Sequence, residues 1–205
     1  MLTVYSVLWG DKYDPDYAFT LKRMVEENLS VPHRFFCITN QVLDGIETLR
    51  PFRPEWRGWW QKLQLFGFAD GPSLYLDLDV VVTGSLDYLV DYANDSYPLA
   101  APANWAQSGH GGIQSSVLAW NGKYKDPLAQ FNYQVDSHRL WGDQEFLTEL
   151  IGDDFIRLPG IYSYKYHCRA EGQPPADSKI IVFHGKPDPH EINEPWVKQS
   201  RSTPT

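Results

Sequence analysis

At 205 residues the chain is long enough to bury one sizeable core, and with no internal repeat to divide it the simplest reading is a single domain. Its 18 Lys+Arg against 26 Asp+Glu give a net charge of −8 with no basic run, which argues against a nucleic-acid partner. Only two cysteines occur, Cys37 and Cys168, which fits two free thiols in a reducing compartment better than a disulfide scaffold.

The first residues, Met1 to Trp9, lack a basic region and a cleavage site, and 3–9 read as a buried strand. Asp14 and Pro15 then open a helix, as N-cap and first helical residue, with Ala18, Leu21, Val25 and Leu29 on one face. Pro32 stops it. A second β-rich run covers 34–39 and ends at Asn40, a short strand follows over 46–49, and Trp59, Leu63 and Phe66 mark a helix over 59–68. A strand over 73–82 comes next. Beyond it, 113–120 reads as a strand, 123–133 and 143–151 as helices, and 179–183 as a last apolar strand. The polar tail 193–205 is expected to fray. No run approaches about 18 apolar residues, so the expectation is a soluble cytoplasmic protein without a transmembrane segment.

Strands alternating with helices predict an α/β domain over 1–192, a Rossmann-like and mostly parallel sheet flanked by helices. Ligands in such sheets sit at the carboxyl ends of the strands. In the strand over 73–82, side chains alternate faces, which puts Asp77 and Asp79 on one side with stems roughly 6.6 Å apart. Two carboxylates that close raise each other's pKa unless a cation sits between them. The last strand ends in His184, Gly185, Lys186 and Pro187, which offers an imidazole, a backbone open to close approach, and an ammonium able to meet phosphate. An imidazole with two carboxylates suits Mn²⁺, with Mg²⁺ as the related choice.

These segments resemble the family 8 glycosyltransferases, the glycogenin-like and galactosyltransferase-like enzymes with the type A glycosyltransferase fold. Trp9 to Tyr13 is similar to the family's nucleotide-base loop, and Gln61-Lys62-Leu63 to its basic helix under the diphosphate. Asp77-Leu78-Asp79 resembles its metal motif, and Gln114 to Val117 an Asn-Ser-Gly strand facing the sugar. Gly142-Asp143-Gln144 resembles its Gly-Asp-Gln, and His184 to Pro187 its metal-and-phosphate motif. Gln114 and Ser116 stand where the family has Asn and Gly, the interval from His184 to Lys186 is shorter, and Asn40 replaces a frequent Asp.

The resemblance implies a metal-dependent transfer, with retention, from a nucleotide diphosphate sugar, UDP-linked, to an unidentified glycan, lipid-linked sugar or protein. Asp77, Asp79 and His184 are then the metal ligands. Asp11, Tyr13, Asn40 and Asp77 are candidates for base and ribose, and Lys62 and Lys186 for phosphate. Gln114, Ser115 and Asp143 would meet the sugar, with Gln144 beside the anomeric carbon and Asp143–Gln144 as the catalytic pair. Trp59 and Trp60 could stack on an acceptor sugar, but a tryptophan pair on a helix is more often core, and both are left outside the site. The loop His110-Gly111-Gly112 is a candidate closure over the donor, and Tyr162, Tyr164 and Tyr166 alternate along a strand-like run. Two other readings stay open: a haloacid-dehalogenase-like phosphatase with Asp77 as nucleophile, and a protein that binds a sugar nucleotide without transferring it.

Overall fold

The computed structural model describes residues 1–95, 98–105 and 112–202. His110 and Gly111 of the expected closing loop lie outside these residues. The chain runs β1 (Leu2–Val7), α1 (Asp16–Asn28), β2 (His33–Ile38), β3 (Glu47–Leu49), a 3₁₀ stretch Gly58–Gln64 leading into α2 (Leu65–Phe68), β4 (Pro72–Leu76), β5 (Val80–Val82), α3 (Leu89–Asp95), β6 (Ala100–Ala101) and β7 (Val117–Asn121). Then come α4 (Asp126–Gln130), α5 (Tyr133–Arg139), α6 (Asp143–Ile151), β8 (Ile156–Arg157), β9 (Ile161–Ser163), a π-helical turn Tyr164–Cys168, β10 (Ile180–Val182), a 3₁₀ turn Pro189–Glu191 and α7 (Pro195–Arg201).

Seven strands form one sheet in the order β3-β2-β1-β4-β7-β6-β8. β1, β2, β3 and β4 are mutually parallel, as are β6 and β8, while β7 runs antiparallel to both its neighbours. Apolar residues alternate between the faces. Val4, Leu74, Leu76 and Val117 pack under α1 and α3, while Tyr5, Tyr75, Leu118 and Trp120 pack under the 58–68 segment and α6. Both faces are therefore covered, as a mostly parallel sheet requires. This is the expected Rossmann-like α/β architecture.

The strand expected over 73–82 is broken. β4 stops at Leu76, Asp77 N donates to Ser116 O at 2.8 Å, and Val80 N turns back to Asp77 O at 3.4 Å. β5 then joins a second sheet, β5-β10-β9. Asp77 and Asp79 thus belong to a turn between two sheets, and the same-face alternation expected for them does not apply. The turn brings both carboxylates to tyrosine hydroxyls at the end of the sheet, partners that a continuous strand between two apolar faces would not offer.

Three other expectations change. The helix over 123–133 is two short ones, because Asn132 takes an extended conformation and caps α5 by accepting from Gln134 N at 3.2 Å. The tyrosine run is a strand only to Ser163, whose hydroxyl accepts from Tyr166 N at 3.4 Å and starts the π-helical turn. Part of the tail expected to fray forms α7, in which Val197 is buried beside Val81 and Ile181, and Arg201 lies 4.3 Å over the Tyr17 ring. Both cysteines are free and buried. Among the described residues no helix is long and apolar enough to cross a membrane.

Gly122, just past β7, is held by close backbone approach. A Cβ there would lie 2.6 Å from the amide nitrogens of Asp70 and Gly71, neither of which can rotate away. Gly122→Ala is expected to lower stability by about 1–3 kcal/mol through overpacking, measured by urea denaturation.

Candidate active site

A cleft of about 810 Å³ opens where β1 and β4 end. The segments that reach it do so for topological reasons. β1 and β4 are parallel neighbours, so Trp9 to Tyr13 and Asp77 to Asp79 emerge on the same edge of the sheet. β7 is antiparallel to β4, which brings the residues before it, Gln114 to Ser116, to that edge as well. In the second sheet Val182 pairs with Val80 in antiparallel register, so the chain leaving β10 passes the acidic turn and delivers Phe183, His184 and Gly185 to the cleft wall. α6 supplies Asp143, Gln144 and Glu145 from its first turn.

Lys62 ties three of these segments together. Its ammonium is buried, 3.0 Å from Asp143 Oδ2 and 3.3 Å from Asp77 Oδ1, and donates to Ser115 O at 3.2 Å and Ser115 Oγ at 3.1 Å. Burial alone would discharge it, but the carboxylates of Asp143 and Asp77 outweigh that cost and raise its pKa, so the lysine stays charged. Around it the loop before β7 is braced internally. Ser116 N donates to Gln114 Oε1 at 3.0 Å, Gln114 Nε2 donates to Ser116 Oγ at 2.8 Å, and Ser115 N donates to Gln144 Oε1 at 3.4 Å.

The acidic pair is held by tyrosines: Tyr75 OH donates to Asp77 Oδ1, and Tyr13 OH donates to Asp79 Oδ2 at 2.6 Å. Burial, then the charge of Asp77, pushes the Asp79 carboxyl up to about 7. Two carboxylate groups two residues apart on one cleft wall offer the oxygen ligands a divalent ion takes. Burial and the nearby Lys165 lower the pKa of His184 and keep its imidazole neutral, the form that ligates metals. Its ring, however, stacks against Tyr166 and Trp105, and its Nε2 is 2.7 Å from Ser163 Oγ. Among the described residues no three His, Cys, Asp or Glu side chains are gathered into a metal cage. The ring must give up Ser163 before that nitrogen can ligate.

Of the residues named from the sequence, Asp11, Tyr13, Lys62, Asp77, Asp79, Gln114, Ser115, Asp143, Gln144 and His184 all line this cleft. Asn40 and Lys186 do not. Asn40 is exposed beyond β2, and Lys186 is turned to Asp188 at 2.7 Å and Glu191 at 3.0 Å. Lys62 spends its charge on two carboxylates, which makes it a brace of the site. Lys12, in the loop after β1, is the other lysine on the cleft wall, its ammonium 4.4 Å over the Tyr13 ring. Trp60 is core as expected, but Trp59 is exposed and lines the cleft, as do Trp9 and Trp141. A signal for Trp59 existed in Gly142, whose missing side chain leaves room for the indole: a Cβ there would meet Trp59 Nε1 at 2.9 Å.

No family model matches the chain. Among curated proteins, glycosyltransferase GlyB of Streptococcus pneumoniae serotype 4 (strain ATCC BAA-334 / TIGR4) is 32% identical over 102 residues, which is 45% of this chain and 24% of that protein. The chain thus spans about a quarter of that relative's length. Among solved structures, glycosyltransferase GlyE of S. pneumoniae TIGR4 superimposes with a TM-score of 0.71 at 18% identity over 98% of this chain and 60% of that one. The galactosyltransferase LgtC, solved in complex with donor and acceptor sugar analogs, gives 0.71 at 15% identity over 98% of this chain and 94% of that one.

Proposed function

On the premise that the chain has the type A glycosyltransferase fold of LgtC and GlyE and is similar to family 8, we propose that it is a metal-dependent glycosyltransferase. It takes a sugar from a nucleotide diphosphate donor, UDP-linked, and transfers it to a saccharide-bearing acceptor with retention. The observation that carries this reading is the convergence, across one cleft, of the Asp77–Asp79 turn and the Asp143–Gln144 turn, braced by buried Lys62.

Breaking the glycosidic bond leaves negative charge on the departing diphosphate. Asp77 and Asp79, with His184 as third ligand, would hold a divalent cation, Mn²⁺ or Mg²⁺, which would supply the compensating charge. The residues of the chain do the rest. Asp11 and Tyr13 sit where base and ribose enter, and Tyr13 also orients Asp79. Ser115 and Asp143 present oxygens to sugar hydroxyls. Gln144, whose carboxamide oxygen is steered by Ser115 N, places a neutral dipole beside the anomeric carbon, where positive charge grows in the transition state.

A thermal-shift series with UDP, GDP and CDP sugars, each with and without Mn²⁺, tests the assignment. The expected result is a rise with a UDP sugar that depends on Mn²⁺, since a ligand at 100 times its Kd stabilises by about 2.7 kcal/mol. Turnover of a phosphomonoester with no response to any nucleotide would overturn it in favour of a phosphatase.

A further inference from the structure

Three of the eight tryptophans are exposed, Trp9, Trp59 and Trp141, and all three line the same cleft. Trp59 is 59% and Trp141 86% exposed, a large apolar area to leave in water on a chain that buries Trp56, Trp60 and Trp120. Contiguous exposed aromatic surface marks a binding site.

Trp59 and Trp141 are placed by separate devices that lead to one spot. The Trp59 indole lies against Gly142, where a Cβ would come within 2.9 Å of its Nε1. Trp141 precedes that glycine, and its backbone N–H is fixed by Glu145 Oε2 at 2.6 Å. The Trp59 indole and the residue Trp141 thus meet at Gly142 in the cleft wall, next to the Asp143–Gln144 turn, with Glu145 on the same wall.

Resting on the glycosyltransferase reading, we propose that Trp59 and Trp141 are the platform for the acceptor and that the acceptor presents a hexopyranose with a continuous C–H face, such as a β-glucoside or β-galactoside. A flat indole covers the apolar face of such a ring while its hydroxyls point outward to carboxylates and amides at the rim, here Glu145 and Gln144. A nucleobase could also stack on an indole. Trp9, on the loop after β1 beside Asp11 and Tyr13, is better placed for that, whereas Trp59 and Trp141 stand by α6 and the expected point of transfer.

The test is a glycan array probed with the wild-type protein, Trp59→Ala, Trp141→Ala and the two Trp→Phe variants, with UDP binding measured on each. The wild type is expected to retain β-linked glucosides or galactosides. Each alanine variant should lose about tenfold in affinity for them, the phenylalanine variants should keep most of it, and UDP affinity should stay within twofold throughout. Alanine variants that bind the same glycans as the wild type overturn the platform, as does a loss of UDP affinity in place of glycan affinity. A wild type that binds UDP with Mn²⁺ but no glycan overturns the platform and leaves the donor assignment standing. One that binds neither overturns both.

Discussion

Lys62→Met is expected to lower the unfolding free energy by about 3–5 kcal/mol, the cost of leaving buried carboxylates without their counter-charge. The side chains of Lys62 and Asp143 are 7% and 6% exposed, so solvent cannot take over the role of the ammonium. Methionine fills a similar volume, which keeps a cavity from accounting for the loss. In the Lys62→Met background, Asp143→Asn should recover part of it, because the charge stranded by the first change is removed by the second. Urea denaturation of the single and double variants reads both effects. A loss under about 1 kcal/mol for Lys62→Met would show that the ion-paired cluster does not hold the cleft together.

Asp79→Asn has the opposite profile: transfer should fall about 10²- to 10³-fold, or about 2.7–4 kcal/mol in barrier height, while the metal-free protein is no less stable. The stability expectation follows from proton linkage. A carboxyl raised from 3.8 to about 7 holds its proton more tightly folded than unfolded, so its ionisation opposes folding. The penalty begins near pH 4, grows to about pH 7 and is complete above that, and asparagine removes it. Steady-state kinetics with a UDP sugar across a Mn²⁺ titration, beside chemical denaturation in chelator at several pH values, measure the two halves. Unchanged kcat/KM at saturating Mn²⁺ would remove Asp79 from the metal site.

The apolar runs of β1, β2 and β10 and the helical spacing of α1 and α6 were legible because each buries a regular stripe, and α6 begins at Asp143 and ends at Ile151 as its sequence predicts. The Rossmann-like sheet follows from their alternation. What periodicity could not show was the change of sheet between Leu76 and Val80, since the residues on either side are equally apolar and only pairing with β10 separates them. β6 and β8, two residues each, are too short for any pattern. In the site, Asp77 and Asp79 could be named because carboxylates beside an apolar run are costly without a purpose, whereas Asp143 and Gln144 came from the resemblance of Gly142-Asp143-Gln144 to the family's Gly-Asp-Gln. Lys186 and Asn40 lie outside the cleft for the complementary reason: nothing in a linear string shows that Lys186 lies within reach of Glu191, or that Asn40 is exposed beyond β2 and apart from the cleft. Trp59 and Trp60 look alike in sequence, and only the direction of a 3₁₀ turn sends one inward and the other out.

The pairing of β5 with β10 also governs when the cleft can come into being during synthesis. A nascent chain that has emerged only as far as α6 already owns both aspartates, the lysine brace and the glutamine, yet the acidic turn still lacks the late strand that anchors its exit. The wall of the cleft made by Phe183, His184 and Gly185 is therefore the last part of it to be built.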